Sequence, residues 1–335
     1  MYRRPYPRRL VAPEGESACY HCYGRCVNKE RLLGDGEAKD RFIAELRRVA
    51  GFCGVEVLTF CVMSNHYHIL VRVDPRAKEA DDKELGRRFR TLYGEGKCPY
   101  INMDARRVAS VLDSKLDDAE AVRAHLKSRM GDLAGFMKTL KQRYSVWYNG
   151  ERGRVGTLWA ERYKSCVVQD SPHVLRVVGA YIELNPVRAG LAERAEAYRW
   201  SGYGAAVGGE ASPSLRAWAR AGIVGMLSGE QESVEEARKF LDSYGILLRV
   251  KDGTDQMARG GRDERGEASG NLEADTPLLK RIPGLLRGAA VGTREFVCKV
   301  AGRQGRPPGA FVNEADGFSL HHARAPRMRS EEGPT

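Results

Sequence analysis

Two histidines one residue apart, His66 and His68, open an otherwise apolar run, CVMSNHYHILVRV, at residues 61–73. In an extended strand, residues i and i+2 point to the same face, so both imidazoles can aim at one point while Tyr67 faces away. A core strand has no packing need for such a pair. Two neutral imidazoles suit a divalent ion, and an incomplete protein shell leaves room for water or a phosphate oxygen. Structural hydrogen bonding is the competing explanation, and no H-E-x-x-H helix is present to add a strong third ligand. A distant helix can supply one instead. In YIELN, Tyr181 and Asn185 lie four residues apart and share a helical face. If that face looks at the histidines, Asn185 supplies an oxygen and Tyr181 a nucleophile. A tyrosine, whose free pKa is about 10, becomes useful when a metal polarises a phosphodiester. Spacing alone does not choose Tyr181 over Tyr144 or Tyr148.

The elements that must position these residues follow from local patterns. SACYHCYGRC, residues 17–26, predicts a first strand, and residues 38–52 place Phe42, Leu46 and Val49 on one helical face. VEVLTFCVM suits a strand, Ser64-Asn65 a turn, and HYHILVRV a second strand stopped by Asp74-Pro75. Residues 76–130 are charged and irregular, with helical pieces around 80–93 and 117–129. Phe136, Leu140, Tyr144 and Trp147 recur at spacings of three and four, which predicts an amphipathic helix ending near Asn149-Gly150. ERGRVGTLWAERYKS then reads as a loop opening into a short strand. A further helix begins at the Ser171 cap with Pro172 in its first turn and is expected to end near Asn185, because the residue before Pro186 is pushed out of the helical region. The pattern predicts an α/β fold with a mainly antiparallel sheet and packed helices, plus a mainly helical C-terminal extension. Residues 1–209 form the main domain with an insertion near 76–130, 210–250 a helical extension, and 251–274 a polar, glycine-rich flexible linker. Residues 275–335 form a small accessory segment for which DNA binding and packing against the core are both open.

The chain has 335 residues, with 55 Lys and Arg against 44 Asp and Glu, a formal charge of +11. Such an excess favours a polyanionic partner, although an arginine-rich soluble protein has the same balance. No apolar run approaches the roughly 18–20 residues of a membrane helix. No apolar stretch follows MYRRPYPRRL, which excludes a secretory signal there, and a cytoplasmic location is expected. In a reducing compartment the ragged spacing of Cys19, Cys22 and Cys26 suits buried thiols better than a zinc site. From Lys138 to Lys164 there are seven basic residues and two acidic ones, with Tyr144, Trp147, Tyr148, Trp159 and Tyr163 among them. Cations for phosphates and flat rings for unstacked bases make a single-strand binding surface. Trp147 falls on the apolar helix face, so Trp159 and Tyr163 are the better candidates for bases.

Taken together, YHCYGRCVNKE, the CVMSNHYHILV block, LWAERYKS and AYIELNPVRAGL make the chain resemble the REP-associated tyrosine transposases, an IS200-like branch of the HUH single-strand DNA nucleases. The resemblance spans roughly residues 15–205. It implies a ferredoxin-like α/β domain that binds single-stranded or hairpin DNA and cleaves and rejoins it through a 5′-phosphotyrosine, without a nucleotide cofactor. By the same resemblance Tyr181 is the nucleophile, and His66, His68 and Asn185 hold Mg²⁺ or Mn²⁺. Arg25, Arg143, Arg154, Arg162, Lys164 and Arg188 become candidate phosphate clamps beside Trp159 and Tyr163. The resemblance further implies a nucleoid-associated monomer or homodimer with no membrane partner. A hairpin-binding regulator that does not cleave, or an RNA-hairpin module, is the alternative. The 76–130 segment is longer than in a minimal domain of this kind, and residues past 210 lie beyond it.

Overall fold

A computed structural model describes residues 15–114, 117–227, 234–249, 290–302 and 321–322. Three long strands form one half of a single sheet: β1 (Ala18–Arg25), β2 (Val55–Val62) and β3 (His66–Val73). They are joined by β4 (Lys164–Val168), β5 (Ala290–Gly292) and β6 (His321–His322) in the order β2-β3-β1-β4-β5-β6. Pairing is antiparallel except between β4 and β5, so the sheet is mainly antiparallel, as expected, with one parallel pair. The accessory segment therefore contributes strands to the sheet, with Ala290 and Val291 buried against β4. The 251–274 linker lies outside the described residues.

Alternation gives the sheet two unlike faces. On one, Tyr67 packs against Phe42 of α1 (Gly36–Cys53) and against Trp159, while Tyr144 of α5 (Leu133–Glu151) packs on Phe42. Gly24 lies directly opposite Tyr67 across the β1–β3 pair, and a Cβ there would collide with the Tyr67 ring, so only glycine lets the ring lie on the strand. The other face carries His21, His66 and His68 and is crossed by α6 (Pro172–Glu183), which packs on β2 and β3.

The inserted region is more ordered than its composition suggests. It folds as α2 (Asp82–Tyr93), α3 (Ala105–Leu112) and α4 (Asp117–Lys127), of which α3 had no counterpart in the sequence pattern. The side chains of Asp35, Asp81, Asp104 and Asp132 accept backbone N–H groups at the starts of α1, α2, α3 and α5. Each satisfies an orphan donor and places a negative charge at a helix N-terminus. Phe52 of α1 meets Tyr93 edge-on and lies under the Arg129 guanidinium, which fastens the insert to the main layer.

Past α6 the chain departs from expectation. Leu184 stays helical and α7 (Asn185–Arg188) adds one further turn across Pro186. Proline is accepted because it sits in the first turn of the new helix, where its missing N–H would have had no partner. After α8 (Gly202–Val207), α9 (Pro213–Val224) lies against β2 and α10 (Val234–Arg249) packs on α6. Gly222 of α9 touches the β2 backbone where its register shifts between Val57 and Thr59, and a Cβ would strike the Val57 carbonyl oxygen. Backbone cannot yield as a side chain does. Gly222→Ala is expected to lower unfolding free energy by about 2–3 kcal/mol, measured by urea titration.

Candidate active site

The β1–β3 register sets Tyr23 opposite His68 and Arg25 opposite His66, all on the face that α6 covers. His21 lies one alternation further along β1. Its Nε2 and His68 Nδ1 share a hydrogen bond of 2.9 Å, and the two rings are nearly parallel with centroids 5.2 Å apart. His66 stands perpendicular to His68 at 5.3 Å, and its Nδ1 is 2.8 Å from Asn65 Oδ1. Burial holds all three imidazoles neutral at ordinary pH. It takes His21 down to about 3, His66 to about 4 with help from Arg25, and His68 well below the usual value. Neutral imidazoles keep a lone pair for a cation.

α6 brings the tyrosine to this cluster. The Tyr181 ring meets His68 edge-on at 5.9 Å and His21 at 6.3 Å. The Arg188 guanidinium, about two turns further on, lies 5.2 Å from the Tyr181 ring centre and donates to the Tyr181 carbonyl at 3.3 Å. Asn185 Nδ2 donates to the carbonyl oxygens of Tyr181 and Ile182 at 2.9 and 3.2 Å. With the amide nitrogen so engaged, Oδ1 is the atom left to accept or coordinate. The extra turn across Pro186 is what keeps Asn185 and Arg188 on the tyrosine's helix line.

Between Tyr181 and Asn185, Glu183 is fully buried. Its Oε1 accepts the Thr59 hydroxyl of β2 and the Tyr203 backbone N–H at 2.8 Å, and burial pushes the carboxyl up to about 7. This carboxyl ties the tyrosine helix to the sheet and to α8. Glu183→Ala leaves the Thr59 and Tyr203 donors buried without an acceptor, and a loss of about 2–4 kcal/mol is expected by chemical denaturation. Glu183→Gln retains an acceptor oxygen and should lose clearly less.

The remaining site residues are dispersed. Trp159 and Tyr163, expected as platforms for bases, are each only 8% exposed. The Trp159 ring packs on Phe42, Tyr67 and Tyr144, with Nε1 donating to Ser145 Oγ at 2.9 Å. These rings belong to the core. Arg143 is paired with Glu45 at 2.6 Å, Arg154 with Glu30 at 3.1 Å, and Lys164 with Glu161 at 2.7 Å. Arg162 is exposed. Arg25 and Arg188 border the histidine–tyrosine cluster, and Lys164 lies opposite Tyr23 on the same face. Tyr144 is buried on the opposite face and donates to the Leu32 carbonyl at 3.1 Å. Seven of the eight cysteines are buried. Among the described residues, no group of three or more His, Cys, Asp or Glu is arranged to hold a metal, and no helix is long and apolar enough to cross a membrane.

His21 is the residue that the sequence pattern did not single out. Its signal was present: His21, Tyr23 and Arg25 alternate along β1 as His66 and His68 do along β3.

The site is thus a sheet face with paired histidines lying under a tyrosine-bearing helix. Residues 16–81 match the family model described as "Transposase IS200 like". The match includes His66 and His68 and ends well before Tyr181. Among solved structures, the chain is similar to "Structure of the REP associates tyrosine transposase bound to a REP hairpin". Identity there is 12% and the TM-score 0.33, over 64% of this chain and 88% of that one. No curated protein matches the chain.

Proposed function

We propose that the protein is a metal-dependent single-strand DNA endonuclease and strand transferase with Tyr181 as its nucleophile. The observation that carries this reading is the edge-on approach of Tyr181 to His68, on the face where an IS200-like domain presents its histidine pair. Tyr181 Oη attacks the scissile phosphorus as the bond to the 3′-oxygen breaks. The phenolic proton ends on the leaving 3′-oxygen. The product is a 5′-phosphotyrosine with a free 3′-hydroxyl, and the reverse attack rejoins a strand with no net loss of phosphate. Arg25 and Arg188, at the border of the cluster, are placed to offset phosphate charge.

His66, His68 and the Asn185 oxygen fit Mg²⁺ or Mn²⁺: two neutral imidazoles and one neutral amide make a partial shell that leaves positions for phosphate oxygens. Bound there, such an ion would polarise the phosphate and ease charge on the leaving oxygen. His21 determines which nitrogen of His68 is available. With the proton on Nδ1, His68 donates to His21 Nε2 and keeps its Nε2 lone pair free. His21 thus acts as a positioning residue for a ligand.

The test offers purified protein labelled DNA and RNA hairpins with Mg²⁺, with Mn²⁺ or with a chelator, and resolves the products under denaturing conditions. A metal-dependent covalent band with DNA is expected. Tight hairpin binding with no band under either ion would make the protein a binding factor, and preference for RNA would overturn the DNA assignment.

A further inference from the structure

A cavity of about 680 Å³ opens between α1, α5 and the inserted helices, within the size range of pockets that take organic ligands. It lies beyond the Tyr67 face of the sheet, on the side opposite the histidine–tyrosine cluster, so its occupant is not the scissile phosphate. Its walls carry four cations, Arg41, Arg129, Lys138 and Arg143, against one carboxylate, Glu45. Glu45 is completely buried and already bound by Arg41 at 2.7 Å and Arg143 at 2.6 Å. Lys138 is exposed and has no acidic partner among the described residues. Arg129 likewise has none. Its guanidinium contacts the Tyr93 hydroxyl at 3.1 Å and His125 Nε2 at 3.4 Å, and its Nε is buried without a partner. Beside these cations stands the Tyr100 ring, 56% exposed, with its hydroxyl held by Gln142 Oε1 at 2.8 Å. The Arg129 guanidinium lies 5.6 Å and the His125 ring 5.9 Å from the Tyr100 ring centre, and the rest of the ring is open to solvent at the cavity mouth.

Unneutralised cations next to an exposed, fixed aromatic face are the requirements for a nucleotide: charge for the phosphate, a plane for the base. We propose that this cavity binds unpaired nucleotides of the DNA strand flanking the hairpin, with a base on Tyr100 and backbone phosphates on Lys138 and Arg129. This rests on the reading above that the protein's substrate is hairpin DNA. It assigns the inserted region a second contact on the strand, several nucleotides from the scissile bond.

The experiment compares full-length protein, Tyr100→Ala and Lys138→Glu by fluorescence anisotropy. The ligands are one DNA hairpin with no flank and the same hairpin carrying a ten-nucleotide single-stranded flank on either side, about the upper half of the span one OB-fold covers. Both residues are exposed, and melting temperatures should match wild type. The expected result is tighter binding of a flanked hairpin by wild type and a fivefold or greater loss of that gain in each variant, with the blunt hairpin unaffected. A flank bearing 5-iododeoxyuridine should photocrosslink to the peptide containing Tyr100. If wild type binds and cleaves hairpins but the flank adds nothing, or the variants lose affinity for the blunt hairpin equally, this assignment is overturned while the catalytic reading stands. If wild type binds no DNA, both fall. Competition by thymidine monophosphate as strong as by the flanked strand would make the occupant a free nucleotide and overturn the strand contact.

Discussion

Tyr181→Phe is expected to yield no denaturant-resistant protein–DNA adduct, a loss of at least about 10³-fold, while hairpin binding stays within twofold of wild type. The substitution removes one oxygen and keeps the ring. The edge contacts to His68 and His21 and the Arg188 stack do not depend on that oxygen, so the site should remain assembled. The two tyrosines that spacing left as rivals are separated by the structure. Tyr144 and Tyr148 belong to α5, on the aromatic face of the sheet, away from the histidines. Tyr144 is buried with its hydroxyl donating to Leu32, and burial raises the pKa of both, which opposes phenolate formation. Anisotropy and a denaturing gel on the same labelled hairpin separate binding from chemistry. An adduct that persists in Tyr181→Phe would remove the residue from the mechanism.

The second large effect is expected at His21, which touches no substrate in the proposed reaction. His21→Ala removes the hydrogen-bond partner of His68 Nδ1 and frees the ring to turn. Loss of such a partner typically weakens metal binding about 10–100-fold. Mn²⁺ titration followed by electron paramagnetic resonance, on Tyr181→Phe protein to prevent turnover, reads that shift directly. Saturating Mn²⁺ should restore much of the cleavage rate in His21→Ala with Tyr181 intact. His21→Gln, which offers a carbonyl acceptor, should recover part of the affinity. A purely structural role would lower the melting temperature and leave the metal requirement where it was, and that outcome would sink the assignment.

Legibility from sequence tracked how local the determining physics was. β3 was bounded correctly because an apolar run, a Ser-Asn turn and an Asp-Pro stop are short-range signals. α1 and α5 were legible from helical periodicity, with boundaries within a few residues of those observed. The helix expected to stop at Asn185 continued, because Pro186 enters a new first turn and removes no hydrogen bond that the helix could have made. The place of Trp159 turned on burial, and its burial depends on Phe42 and Tyr67, which lie about a hundred residues earlier in the chain. His21 was hidden for the same reason. Alternation shows which residues share a face of β1, but only the pairing of β1 with β3 shows that this face looks at His68. β5, which joins the sheet from far downstream, gave no local sign of its partner.

The contrast between the two sheet faces also bears on error during folding. If β3 paired one residue out of step, His66 and His68 would enter the layer now filled by Phe42, Tyr144 and Trp159, and Tyr67 would replace them beneath α6. Gly24 would no longer lie opposite the large ring it accommodates. Two imidazoles would lose their polar neighbours, and a phenol would lie where the imidazoles now face α6. The same misstep thus forfeits packing and chemistry together. The packing that disfavours a one-residue slip is therefore built from the same strand that carries the histidine pair.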